Sequence, residues 1–113
     1  MKDLKSRLLS PAYAAHPVTL LGTDLLIRRL TANELADFEE KAAQLRSDNN
    51  TRGLALAGAS LVLSALVDEN GVPEQDLPAP DELIKHHSYA TLIEALTIVQ
   101  RHSYGTLEEA KKN

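Results

Sequence analysis

The chain has 113 residues, 43% of them apolar, and a net charge of −4 from 12 basic and 16 acidic side chains. This length suits one domain with a single core. The absence of cysteine excludes disulfides, thiolate catalysis and cysteine-ligated zinc. The basic residues are scattered along the chain without a basic, aromatic-rich face, so nucleic acid is not an expected partner. The longest uncharged run, residues 53–67, is shorter than the roughly 20 residues of a bilayer span, so a membrane is not expected either.

The first 30 residues are predicted to form an arm followed by a β-hairpin. In the arm, residues 1–16, Leu4 and Leu8 lie one helical turn apart and indicate a short amphipathic helix. Residues 17–30 contain two short apolar runs around Gly22. A glycine between two such runs favours a hairpin turn.

Residues 31–104 are predicted to form a helical core. Thr31 and Glu34 match a capping box, so a helix is expected to start there. The next helix, predicted over residues 51–67, is apolar on every side, and such a helix is buried on every side. Either it is the central helix of the domain, or part of its surface meets a second copy of the chain.

Two apolar surfaces are candidates for contact between copies of the chain. One is the N-terminal arm, and the other is the helix rich in small residues between positions 53 and 67. The predicted self-association residues are Leu4, Leu8, Leu9, Leu54, Leu56, Gly58, Leu61 and Leu63.

Two further helices are predicted toward the end of the chain. Pro80 and the two acids after it resemble a helix first turn, and a longer helix is expected over about residues 88–102. The predicted core positions of that longer helix are Leu92, Ile93, Ala95, Leu96, Ile98 and Val99. Gly105 is expected to stop it, and residues 105–113 form a polar tail that is expected to fray. The predicted fold class is therefore mainly α (α+β), with four to five helices packed together and one N-terminal β-hairpin in a single domain.

The stretch LVDENGVP, residues 66–73, has some features of a calcium-binding loop. Counted from Asp68, however, glycine falls at position four instead of six, and Ala79 stands where the bidentate glutamate belongs. Asn70 and Gly71 suit a turn with positive φ, so a helix stop and a turn are predicted here. A weaker hypothesis is that the acids between residues 68 and 82 attract a basic segment of a partner.

The histidines and serines form no recognisable catalytic or metal-binding pattern. His86, His87 and His102 meet only if the last two helices pack antiparallel, and adjacent helical side chains point about 100° apart. Ser60 and Ser64 have no neighbouring base. We therefore expect no catalytic residue, no metal and no cofactor, and no enzyme. A metal or substrate site at the three histidines is the remaining enzymatic alternative.

Three short motifs follow one another along the chain. A strand ending in Arg29-Leu30-Thr31 leads into a helix that carries a Glu-x-x-x-Phe pattern at residues 34–38, and an Asp-rich turn with Gly-x-Pro follows at residues 68–73. This order resembles the tail assembly chaperones of long-tailed phages of the lambdoid siphophage type. The resemblance covers residues 17–102. One departure is Glu74-Gln75-Asp76-Leu77, where that family often has an aromatic residue.

The resemblance implies a non-enzymatic role in the host cell cytoplasm. Such proteins coat the long, apolar and helical tape measure protein, keep it soluble and recruit tail tube subunits. The resemblance also implies homo-oligomers and a longer form made by a programmed ribosomal frameshift, with which AAA codons for Lys111 and Lys112 would be compatible. Expected partners are therefore the tape measure protein, the tail tube protein, the longer form and further copies of the chain. The alternative is a structural virion component, such as a tail terminator or head–tail connector protein.

Overall fold

The computed structural model describes residues 3–10 and 14–105 of the chain. In chain order the elements are α1 (Leu4–Leu8), β1 (His16–Leu20), β2 (Thr23–Ile27), α2 (Ala32–Ser47), α3 (Thr51–Ala65), β3 (Leu66–Val67), α4 (Pro80–His86) and α5 (Tyr89–Tyr104). The strands form one antiparallel sheet in the order β1-β2-β3. The predicted mainly α fold with an N-terminal hairpin is confirmed. Except for Gly105, the tail that was predicted to fray lies outside the described residues.

The hairpin turns through two residues that both have positive φ. The values are 55° for Leu21 and 76° for Gly22, as a two-residue turn of type I′ requires. The strands pair up to the turn itself, with Leu20 opposite Thr23. Glycine adopts a positive φ without steric cost, so Gly22 is the residue that makes this tight turn accessible.

The helix predicted over residues 51–67 was too long, because its last two residues form a third strand. The helix expected over residues 51–67 ends at Ala65, and the next two residues pair with β2. Arg28, directly after β2, donates its backbone N–H to the Ala65 carbonyl oxygen over 2.9 Å. Apolar residues continue through both elements, so the hydrophobic pattern contained no sign of the change from helix to strand.

The helix α3 is central among the described elements. It packs against α2, α4 and α5, and seven of its 15 residues are buried. Its exposed side carries the polar residues Ser60 and Ser64. The helix therefore has the central position that the first of the two alternatives described. The core around it is formed by Leu20, Ile27, Leu35, Phe38, Ala42, Leu83, Leu92, Ala95 and Val99.

Local sequence signals set the helix ends as predicted. Thr31 Oγ1 accepts the Glu34 N–H over 3.1 Å, and the Thr31 N–H donates to Glu34 Oε1 over 2.8 Å. These two bonds complete the capping box that starts α2. Pro80 occupies the first turn of α4, and Gly105, with a φ of 73°, follows the last residue of α5.

Replacing Gly22 by alanine is expected to lower the free energy of unfolding by about 1–2 kcal/mol. Apart from its two chain neighbours, a methyl group at this position would meet no atom within 4 Å, so the loss comes from the positive φ. Urea unfolding followed by circular dichroism measures the change.

Gly58→Ala is the matched control for this substitution. Gly58 is helical, and alanine there is expected to raise the free energy of unfolding by about 0.5–1 kcal/mol. Its methyl group would lie 3.4 Å from the flexible end of the Leu96 side chain. The two variants should therefore change stability in opposite directions, and equal losses in both would contradict the role assigned to the turn.

Candidate functional site

The described residues contain no group of three or more histidine, aspartate or glutamate side chains able to hold a metal ion. His87 precedes α5 and His102 lies near its end, so the helix separates them by about 20 Å. His102 instead stacks on His16 of β1, with ring centroids 4.3 Å apart. The hypothesis that the three histidines meet is therefore wrong.

The calcium-like stretch after β3 forms the predicted turn. Asp68 Oδ1 accepts the backbone N–H of Asn70 over 2.8 Å and that of Val72 over 3.0 Å. Gly71 has a φ of 77°, as the turn requires. Pro73 then bridges to β3, so the chain folds back beside the sheet.

A bidentate ion pair joins the end of β2 to the start of α2. Arg28 donates from Nη1 and Nη2 to the two carboxylate oxygens of Glu34, each over 2.8 Å. These hydrogen bonds hold the pKa of Glu34 at about 2, with help from the Thr31 N–H and against the opposing effect of partial burial. Close by, the Leu30 N–H donates to Ser103 Oγ of α5 over 3.0 Å. We call Arg28, Leu30, Thr31 and Glu34 the Arg28 corner.

The Arg28 corner has the character of a structural joint. Both oxygens of the Glu34 carboxylate already accept hydrogen bonds from neighbouring residues. A carboxylate with a lowered pKa and fully engaged oxygens is a poor proton acceptor at neutral pH. The charge of this corner therefore stabilises the fold.

The structure divides the predicted self-association residues into three groups. The most exposed belong to the arm, Leu4, Leu8 and Leu9, at 61%, 74% and 72%. Two on α3 are half-buried, Leu54 and Leu56. Three are buried in the chain's own core, Gly58, Leu61 and Leu63. The first two groups are accessible, at least in part, at the surface of the chain.

An apolar groove opens between α2, α3 and α5, with a volume of about 160 Å³. Three small residues of α3, Ala55, Gly58 and Ala59, line it. Tyr89 and Ile93 of α5 stand at its rim, 46% and 43% exposed. We call this the helix groove, and its remaining lining residues are Phe38, Arg46, Leu54, Leu92 and Leu96.

A second groove lies on the outer face of the sheet. Pro17, Leu26 and Val67 are neighbours across the three strands and form an apolar strip. Leu77, from the loop after β3, lines the same groove and is 38% exposed. Among the described residues that line it there is no lysine or arginine, and the charged ones are Asp24, Asp68, Glu69 and Glu74. We call this the sheet groove.

Sequence reasoning missed both grooves. It placed Ile93 in the core, but one step along a helix turns a side chain by about 100°, and Ile93 faces outward beside the buried Leu92. A strict reading of the spacing of Leu92, Leu96 and Val99 would have left Ile93 outside the apolar stripe. The sheet groove depends on pairing between β2 and the two-residue β3, for which the sequence holds no signal. The sequence indicated that the acids between residues 68 and 82 could meet a partner, but it did not indicate the apolar strip beside them.

These features describe a small, mainly helical protein with a terminal hairpin and two apolar surface grooves. Over residues 3–113, nearly the whole chain, the sequence matches the family model of the phage tail assembly chaperone protein. The protein belongs to that family, as the resemblance predicted. Searches of curated proteins and of solved structures gave no match. Across residues 3–10 and 14–105, no helix has the length and apolar character needed to cross a membrane.

At neutral pH, replacing Glu34 by glutamine is expected to lower the free energy of unfolding by about 1–2 kcal/mol. The loss is smaller than the pKa shift alone implies, because the Glu34 side chain is 33% exposed and water screens the pair. Folding lowers this pKa from 4.5 to about 2. The stabilisation is therefore complete above about pH 4.5 and is lost as the pH falls toward 2.

Urea unfolding at several pH values below neutrality measures this effect. The difference between wild type and Glu34→Gln should shrink as the pH falls through that range. Glu40→Gln is the control, since Glu40 is exposed on the same helix and loses the same charge. If both substitutions gave the same loss and the same pH dependence, the ion pair would have no special role.

Proposed function

We propose that the protein binds the tape measure protein before the tail tube forms, keeps it soluble and helps recruit tail tube subunits. It acts in the cytoplasm of the host cell and is not retained in the virion. The observation that carries this proposal is the family match over residues 3–113. The role requires surfaces that cover apolar helices, and it requires no reaction chemistry.

The helix groove is the surface that we assign to the tape measure protein. An amphipathic helix binds by placing a few apolar side chains into a groove of this kind. A volume of about 160 Å³ accepts one aromatic-sized side chain, since apolar cavities of similar size bind benzene. Tyr89 and Ile93 add exposed apolar area at the rim, where contact with a client would remove it from water.

The small residues on α3 give this groove its depth. At positions 55, 58 and 59 the side chains are a methyl group or a hydrogen atom, so α3 leaves room between α2 and α5. A larger residue at any of these positions would fill the space a client side chain needs. The depth of the groove therefore depends on the small side chains of α3 as well as on how the helices pack.

Ile93→Asp is expected to weaken binding of the tape measure protein about tenfold. The substitution removes an apolar contact and puts a charge at the rim of an apolar groove, where an apolar client would leave that charge without water or a partner. The measurement is the soluble fraction of the tape measure protein of the same phage when it is co-expressed with each variant, followed by titration of a soluble tape measure fragment.

Ala43→Asp is the matched control, because it introduces the same charge at an exposed position of α2. Ile93 is 43% exposed, so its substitution should change the free energy of unfolding by only about 0.5 kcal/mol. Equal solubilisation by both folded variants would show that the helix groove is not the client site. Failure of the wild type to solubilise the client would contradict the proposed function itself.

The proposal also includes several copies of the chain on one client, together with a longer frameshifted form that shares its sequence. A long helical client offers many similar apolar segments, and each copy covers only one of them. The exposed leucines of the arm are the part of the predicted association surface that is freely accessible. The longer form would bind through the same groove and carry an added segment toward the tail tube protein.

Purified phage particles are expected to lack this protein. A chaperone leaves when the tail tube replaces it around the tape measure protein, whereas a tail terminator or head–tail connector stays in place. Quantitative mass spectrometry of particles and of infected-cell extract measures the difference. Detection in particles at a fixed copy number would favour the structural alternative.

A further inference from the structure

The helix α1 has an apolar ridge with a positive charge on each side. Leu4 and Leu8 lie one turn apart, and successive residues are about 100° apart around the axis. Lys5 therefore lies on one flank of this ridge and Arg7 on the other. No residue of α1 is buried, and Leu4 and Leu8 are more than half exposed. An isolated chain thus leaves an apolar, basic arm in water.

The sheet groove has the complementary chemistry. Its floor is the apolar strip across the three strands, and its charged lining residues are all acidic. Because β2 and β3 are antiparallel, Asp24, which precedes Leu26, and Asp68 and Glu69, which follow Val67, lie at the same end of the sheet. Within the described residues, none of the acids that line the groove forms an ion pair.

We propose that α1 of one copy docks in the sheet groove of a second copy. Leu4 and Leu8 would cover Pro17, Leu26 and Leu77, accessible apolar residues of the groove, since Val67 is already buried. Lys5 and Arg7 would meet the acids at its rim. No residue of α1 lines the groove of its own chain, so α1 leaves that groove open to a neighbour. This inference rests on the proposed function, because that function requires several copies of the chain to come together on one client.

Such a contact joins two different surfaces of the same chain. Head-to-tail contacts of this kind form either rings or open arrays, because a pair of copies still offers one free arm and one free groove. An open array can follow an extended client of any length. The helix groove lies on other elements than α1 and the sheet, so client binding and array growth do not compete for one surface.

The test uses charge reversal on each side of the proposed contact. Lys5→Glu/Arg7→Glu alters the arm, and Glu69→Lys/Glu74→Lys alters the groove at two exposed acids with no ion pair among the described residues. Asp68 is left unchanged because it holds the turn. Sedimentation velocity over a range of concentrations should show self-association of the wild type and at least tenfold weaker association of either altered chain alone.

Mixing the two altered chains is the decisive measurement. The intact arm of one fits the intact groove of the other, and the reversed arm of the other fits the reversed groove of the first, so the two chains should associate alternately although neither associates strongly alone. A chain with all four reversals regains complementary charges and the wild-type net charge, and it should associate again. Lys41→Glu/Arg52→Glu, at exposed positions on α2 and α3, repeats the charge change of the arm variant away from the contact and should leave association unchanged.

Three results would overturn this inference. They are a monomeric wild type at all concentrations, a mixture that does not associate, and a Lys41→Glu/Arg52→Glu control that loses association as the arm variant does. None of them bears on client solubilisation, which is measured separately with the helix groove variants. An arm variant that solubilises the tape measure protein normally but stays monomeric would separate the two roles.

Discussion

The relative placement of the sheet and three of the helices depends on one short connection, the residues from Arg28 to Thr31. The backbone of Arg28 holds the end of α3 and its guanidinium group holds the start of α2, while Leu30 holds the end of α5 through Ser103. A bidentate arginine–carboxylate pair fixes direction as well as distance, because both groups are planar. The helix groove lies between the helices that this corner positions. A substitution at the corner is therefore expected to change the shape of the groove, although no residue of the corner lines it.

The parts of the fold that rest on local chemistry were predictable from the sequence. Thr31 and Glu34 marked the start of α2, Gly22 marked the hairpin turn, and Gly105 marked the end of α5. Each of these signals acts over four residues or fewer, so one chain segment contains all the information. The family resemblance rested partly on the same signals, since its motifs include Thr31 and Glu34, and the family match confirms it.

The parts that rest on contacts between distant segments were not predictable. A two-residue strand has no periodicity of its own, so β3 became visible only through its pairing with β2. The stack of His16 on His102 joins residues at opposite ends of the described chain. Both grooves are spaces left between elements, and their shape follows from packing angles that residue spacing does not encode. For that reason the sequence identified apolar residues such as Leu61 as candidates for association, and the structure places them inside the core.

Both edges of the sheet have a proline beside them. Pro17 lies within β1, and Pro73 follows the turn and bridges to β3, which is only two residues long. An open strand edge invites another chain to add a strand, and repeated addition leads to fibres. Proline has no N–H to donate, so neither edge offers the regular row of donors that such growth requires. In the array that we propose, many copies could therefore lie side by side with little danger of amyloid-type stacking.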